Sequence, residues 1–186
     1  GAQVSLETTG EASQVQLRSG RSRFSLQALS EADFPDIAAG EMAVNFTIPA
    51  VDLKRLIDKT QFAISTEETR YYLNGIYLHT IEAEGEIRLR AVATDGHRLA
   101  RIELPAPDGA AGMPGIIVPR KAVAEVQKLV ADETGETVHV GLSPAKIRFA
   151  FGEGGDGVVL TSKLIDGTFP DYQRVIPTGN DKRLTI

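Results

Sequence analysis

The sequence contains no cysteine among its 186 residues. A disulfide framework, a thiolate zinc site and a cysteine nucleophile are therefore excluded. No apolar run approaches the roughly 18 residues that a membrane span needs. No signal-peptide pattern opens the chain, and a reducing cytoplasm is the expected setting. Histidine is scarce: His79, His97 and His139 are widely separated. None shows metal-ligand spacing, and Asp95-x-His97 alone is a poor site. A hydrolase built on Asp95 and His97 would want a Gly-x-Ser-x-Gly elbow, which is absent. An initiator Met is also missing, and the chain stops inside the strand-like Arg183-Leu184-Thr185-Ile186. Both ends read as cut, so the expectation is a piece of a longer protein.

What is present is an ordinary globular composition, 42% hydrophobic and 24% charged, long enough for one domain with a core and parts of a second. Internal repeats organise it. Leu29-Ser30-Glu31-Ala32-Asp33-Phe34-Pro35-Asp36 matches Leu164-Ile165-Asp166-Gly167-Thr168-Phe169-Pro170-Asp171, with Phe34 and Phe169 standing 135 residues apart. Phe46-Thr47-Ile48 is echoed by Leu184-Thr185-Ile186. A shorter repeat relates Phe46-Thr47-Ile48-Pro49 to Ile116-Ile117-Val118-Pro119, with the prolines 70 residues apart. In each copy a short strand leads into a helix opened by Pro, with apolar residues at helical spacing. The helices are expected near Ala50–Thr60 and Pro119–Val130. Alternating strands follow the first at Phe62–Ser65, Gly75–Ala83, Glu86–Asp95 and His97–Leu104. They follow the second at Thr137–Leu142, Ala145–Phe151 and Val158–Leu164. Gln14–Arg18 and Arg21–Gln27 read as a hairpin. The expected fold class is α+β: two strand–helix–multistrand halves with helices on one face of antiparallel sheets. One complete domain covers 44–181, preceded by the last strands of a similar domain and a linker in 1–43, and followed by the start of another in 182–186.

The net charge of −5 is unevenly shared. The first helix holds Lys54, Arg55 and Lys59 against Asp52 and Asp58; the second holds Arg120, Lys121 and Lys128 against Glu125. Together they carry three net positive charges, leaving eight net negative on the rest. With their apolar faces on the sheets, the helices would turn basic sides outward and form a phosphate-facing surface without base-reading groups.

Five stretches carry a resemblance: Ser19-Gly20-Arg21-Ser22-Arg23-Phe24-Ser25-Leu26, Arg70-Tyr71-Tyr72-Leu73-Asn74-Gly75, Ala93-Thr94-Asp95-Gly96-His97-Arg98-Leu99-Ala100, Val118-Pro119-Arg120-Lys121 and Phe169-Pro170-Asp171-Tyr172. In this order and register the chain resembles the bacterial β sliding clamps, the β subunits of DNA polymerase III. The resemblance implies the DNA-clamp fold, with three such domains per chain and two chains closed head to tail into a homodimeric ring whose helices face duplex DNA. It implies a processivity factor with no catalysis and no cofactor. Its partners would be the polymerase III catalytic subunit, the clamp loader, and other polymerases and repair proteins, docked through clamp-binding peptides. The second-domain half of the peptide groove maps onto Leu73, Thr94, Gly96, His97, Arg98, Leu99, Pro170, Arg174 and Val175. Leu73, Leu99, Pro170 and Val175 suit an apolar pocket, rimmed by the stems of Arg98 and Arg174. DNA contacts map onto Tyr71, Tyr72, Arg120 and Lys121, beside the helix cations Lys54 and Arg55. Glu67 and Glu68 next to the tyrosines are unfavourable for phosphate. The segment Thr80–Arg90 exceeds the family form, as a longer hairpin tip would.

Other motifs carry less. Gly152-Glu153-Gly154-Gly155-Asp156-Gly157 fits the dinucleotide fingerprint in letters, but it lies between strands, no helix follows, and its acids would repel a pyrophosphate. A glycine-rich turn is the expectation. Asn45-Phe46-Thr47 is a glycosylation sequon in letters only. The competing functional readings are a stand-alone peptide-binding module on the same fold, and a small hydrolase using Asp95 and His97.

Overall fold

In the computed structural model the described residues are 3–8, 14–33, 40–131, 137–152, 157–179 and 181. The Phe34-Pro35-Asp36 copy of the long repeat, most of the glycine-rich stretch after Gly152, and the echo at Leu184–Ile186 lie outside them. The chain divides into two units, Gly1–Ala38 and Ala39–Ile186.

The first unit is an antiparallel meander of β1 (Val4–Thr8), β2 (Gln14–Ser19) and β3 (Ser22–Gln27). The expected hairpin is β2–β3, which closes through a two-residue turn with Gly20 at φ +57°. Such turns need positive φ, which glycine reaches without steric cost.

The second unit runs β4 (Val44–Pro49), α1 (Ala50–Asp58), β5 (Gly75–Ala83), β6 (Glu86–Thr94), β7 (Leu99–Pro105), β8 (Ile116–Pro119), α2 (Arg120–Ala131), β9 (Thr137–Leu142), β10 (Lys146–Phe151) and β11 (Val158–Lys163). Its two sheets have the orders β7-β6-β5-β8 and β11-β10-β9-β4, with antiparallel pairing throughout. The halves exchange their leading strands. The strand that opens the first half, β4, pairs with β9 of the second, Ile48 opposite Val138. The strand that opens the second half, β8, pairs with β5 of the first, Ile76 opposite Val118. Neither half completes a sheet alone, so the two copies of the shorter repeat form one interlocked domain.

Alternation along the strands decides what each sheet buries. Ile76 and Leu78 of β5, Ile116 and Val118 of β8, Phe46 and Ile48 of β4, and Val138 and Val140 of β9 meet Leu53, Leu56 and Ile57 of α1 and Val123, Val126 and Val130 of α2 in one core. Each such side chain contributes roughly 1.5–3 kcal/mol on full burial, well above intrinsic helix propensity differences. The helices also touch each other, with Gln127 Nε2 donating to Asp58 Oδ1 at 2.8 Å. The opposite face of β5–β6–β8 carries a second core of Leu73, Val92, Ile117, Phe169 and Tyr172. The chain after β11 folds back to cover that face, anchored by Leu164 N–H to Ala145 O at 2.8 Å and Ile165 N–H to Ile117 O at 3.0 Å.

Two local expectations need correction. Helix α1 ends at Asp58 rather than Thr60. The Thr60 hydroxyl donates to Leu56 O at 2.6 Å, taking the carbonyl that the Thr60 amide would otherwise use, and that amide bonds Ile57 O instead. Phe62–Ser65 is not a strand. Gln61–Ala63 forms a 3-10 turn, and the next segment is tied by Ser65 N–H to Leu73 O at 3.1 Å. The sheet position beside β5 is already taken by β8, so this apolar stretch has no strand to pair with. The β5–β6 hairpin reaches Ala83 opposite Glu86 and turns at Glu84 and Gly85, both at positive φ, so Thr80–Arg90 forms a regular ladder up to its tip. At the described ends of β10 and β11, Phe151 stands opposite Val158. No helix among the described residues is long and apolar enough to cross a membrane.

Candidate functional site

The β6–β7 connection is a tight turn fixed from within. Asp95 Oδ1 accepts from the backbone N–H of His97 at 2.9 Å and of Arg98 at 3.0 Å, and its Oδ2 meets Arg98 Nε at 3.0 Å. The Thr94 hydroxyl donates to Arg98 O at 2.8 Å and accepts from Gly96 N–H at 3.1 Å. The amides of Arg98 and His97 hold the Asp95 carboxyl down to about 2. Gly96 sits at φ +89°, where a Cβ would also lie 2.7 Å from Arg70 Nη1. Arg70 is itself clamped, with Nε and Nη2 each 2.7 Å from the Glu67 carboxylate. Asp95 therefore serves backbone geometry; its hydrogen bond to His97 runs through the His97 amide and not the ring, which is no arrangement for general-base chemistry.

This turn forms one side of a depression of about 450 Å³, in which Thr94, Gly96, His97, Arg98 and Leu99 face Val175, Ile176 and Pro177. Six of the nine groove residues expected from the sequence thus share one cavity. The other three take different places. Leu73 is only 4% exposed and belongs to the second core, against which Leu99 packs. Pro170 is exposed on the covering segment but does not line the cavity. Arg174 projects into solvent and pairs with Asp171 at 2.8 Å. Sequence reasoning does not single out Ile176 and Pro177, although the run Val175-Ile176-Pro177 is an apolar signal at a loop position. Sequence reasoning weighs Asp95 only as a partner of His97, in a hydrolase or a poor metal site, not as the residue that fixes the turn, and Asp-Gly is the turn signal that could have marked it. The cavity wall is mixed: Val175 is 69% exposed, while Arg98 places its guanidinium 5.9 Å from the ring of the exposed Phe62. An exposed branched apolar residue beside a preformed turn can bury surface against an incoming apolar side chain, with Arg98 and His97 at the rim.

A second surface lies at the start of α2. Tyr71, Arg120 and Lys121 line a shallower concavity of about 310 Å³ with Glu68 and Asn74. Tyr71 is 53% exposed. Tyr72 stands edge-on to it at 5.8 Å and packs against the second core, half-buried. Of the two neighbouring acids, Glu67 is occupied by Arg70, which holds its carboxyl below the usual range, while Glu68 stays on the concavity. On the helices, Leu53, Leu56 and Ile57 of α1 and Ala122, Val123, Val126 and Val130 of α2 point inward, so Arg55, Arg120 and Lys121 are exposed. Lys54 is engaged by Asp58, whereas no ion pair among the described residues engages Arg55, Arg120 or Lys121. No group of three or more His, Cys, Asp or Glu that could hold a metal occurs among the described residues.

Comparison with known proteins gives a consistent result. The family described as DNA polymerase III beta subunit, central domain, matches residues 47–171. The chain is 54% identical over all of its length to the beta sliding clamp of Caulobacter vibrioides strain NA1000, covering 49% of that protein. It is 43% identical over 184 residues, 99% of the chain, to the beta sliding clamp of Escherichia coli K12, covering 47% of it. A crystal structure of the Caulobacter crescentus beta sliding clamp superposes with a TM-score of 0.87 at 54% identity, over 98% of this chain and 47% of that one. A Bartonella birtlesii sliding clamp bound to griselimycin gives a TM-score of 0.85 at 52% identity, over 97% and 47%. The chain spans about half the length of the relatives it matches.

Proposed function

The chain belongs to the DNA polymerase III beta subunit family, the bacterial β sliding clamps, and from that premise we propose that it works as part of a ring-shaped processivity factor that holds a replicative polymerase on DNA. Residues 44–181 would be one complete clamp domain, 1–43 the end of the domain before it, and 182–186 the start of the domain after. The assembled ring would be a head-to-tail homodimer, acting in the cytoplasm without catalysis, cofactor or metal.

The observation that carries this reading is the helix pair α1–α2. Two adjacent helices bury their apolar faces and leave Arg55, Arg120 and Lys121 exposed. Exposed cations neutralise phosphates without reading bases, and a clamp that slides needs contacts of that weak, sequence-independent kind. Tyr71 beside Arg120 and Lys121 adds a ring able to stack on a base or bond a phosphate. Half-buried Tyr72 would support Tyr71, and Lys54 would act through what Asp58 leaves of its charge.

The cavity at Thr94–Leu99 and Val175–Pro177 would be the second-domain half of a peptide groove. The polymerase III catalytic subunit, the clamp loader, and other polymerases and repair proteins would insert an apolar side chain there. Leu73 would support its floor, and Pro170 and Arg174 would extend its outer rim. The reading is tested by primer extension with the full-length protein, clamp loader and replicative polymerase. Products should lengthen greatly when the protein is added, and unchanged product length contradicts the proposal.

A further inference from the structure

The wall of the cavity that carries Val175, Ile176 and Pro177 has little structure of its own. It follows a single 3-10 turn, Tyr172–Val175, with one weak closing bond from Ile176 N–H to Gln173 O at 3.4 Å. Its fastening comes from the sheet below. His79 on β5, Arg90 on β6 and Glu103 on β7 are direct cross-strand partners, so they form one transverse row. Arg90 is only 7% exposed. Its Nε and Nη2 bond Glu103 Oε2 at 2.8 and 2.6 Å, and its Nη1 donates to the Tyr172 hydroxyl at 2.9 Å. That hydroxyl is also 3.1 Å from His79 Nε2. His79 Nδ1 faces Thr80 O at 3.3 Å, and a carbonyl can only accept. The proton therefore sits on Nδ1, and Tyr172 donates to Nε2 while accepting from Arg90. Burial holds His79 below its ordinary pKa, with Arg90 adding to the effect, which suits a neutral ring in this role. Tyr172 itself is 5% exposed and lies against Phe169 and His79.

A nearly buried guanidinium is costly unless every donor is aimed at a partner. Here the row spends one of those donors on a residue outside the sheet. We propose that Tyr172, gripped by the Arg90–Glu103 pair and His79, is the positioning residue that seats the Arg174–Pro177 wall and so sets the affinity of the neighbouring cavity for an apolar peptide anchor. This rests on reading the cavity as a peptide groove. Tyr172 touches no peptide in this scheme; it acts through the backbone that carries Val175 and Ile176.

The test is Tyr172→Phe, which removes one oxygen and keeps the ring, together with Arg90→Met and the double variant. Two readouts are needed: the Kd for a fluorescein-labelled clamp-binding peptide of the polymerase III catalytic subunit, and the methyl NMR signals of Val175 and Ile176 in the free protein. Tyr172→Phe strands a buried donor, so Kd should rise about fivefold or more and both methyl signals should move. The double variant should bind no worse than the weaker single one, because both remove the same link. A hydroxyl that merely stabilised the fold would lower Tm while leaving Kd and the methyl signals unchanged, and that result overturns the proposal. Leu99→Glu serves as the control for the groove. If it leaves peptide affinity intact, the groove reading fails, and the positioning claim is then decided by the methyl signals alone.

Discussion

Replacing Val175 by Ala removes two methyl groups from a side chain that is 69% exposed in the free protein. Full burial of two such carbons is worth about 1.6 kcal/mol at ~0.8 kcal/mol each. About two thirds of that area is still open before binding, so a peptide anchor that covers it should gain about 1.1 kcal/mol from Val175. Val175→Ala should therefore weaken peptide binding roughly sixfold and scarcely alter the melting temperature. Leu73→Ala is the counterpart. Leu73 is 4% exposed and sits in the second core, so its truncation should cost about 2–5 kcal/mol of folding stability. Fluorescence anisotropy with a labelled clamp-binding peptide and thermal denaturation separate the two effects. An unchanged Kd for Val175→Ala, or a Leu73→Ala protein as stable as the parent, refutes the division between cavity wall and supporting core.

Gly96→Ala should destabilise the β6–β7 turn by about 1–2 kcal/mol through backbone strain at φ +89°, and it should displace Arg70, whose Nη1 lies where the new Cβ would press; a crystal structure in which the Glu67–Arg70 pair has opened checks this. The same turn should depend on acid. The Asp95 carboxyl is held at about 2 when folded against 3.8 as a free side chain, so its contribution is complete above 3.8 and is lost as pH falls through about 2; protection of the His97 and Arg98 amides from exchange, relative to unfolded peptides at the same pH, should fall over that range, and Asp95→Asn should remove that fall. Changing Arg55, Arg120 and Lys121 to Glu in the full-length protein should slow loading onto DNA. It should also flatten the salt dependence of binding by about one unit for each phosphate left without its cation. Lys54→Glu should do less, because Asp58 already holds Lys54. Unaltered loading by the triple variant would discredit the helix surface.

Much of the architecture was legible because it rests on local chemistry. Pro49 and Pro119 mark where strands give way to helices, and the spacing of Leu53, Leu56 and Ile57, and of Val123, Val126 and Val130, fixes which helix faces turn inward. The exchange of β4 and β8 between the halves was not legible, because both are equally good strands for either sheet and only tertiary packing chooses. The apolar run Phe62–Ser65 read as a strand for the same reason; pairing depends on a free edge, which alternation cannot reveal. At the cavity, motif resemblance identified Thr94, Gly96–Leu99 and Val175 but gave no depth, so Leu73 looked like a wall and is a buried support. Ile176 and Pro177 lie past the motif that ends at Tyr172, and the apolar run Val175-Ile176-Pro177 was their only signal. The row His79–Arg90–Glu103 was invisible in sequence, since its members stand 11 and 13 residues apart and meet only through strand register.

Encirclement is a topological property, and retention on DNA reads it out. The full-length protein would be loaded by its clamp loader onto nicked circular duplex, isolated by gel filtration, and then exposed to a restriction enzyme that cuts the circle once. A ring held by encirclement stays with the closed circle and leaves the linear product by sliding off its ends. Equal retention before and after cutting would show that the protein grips DNA by direct binding, and would contradict the account.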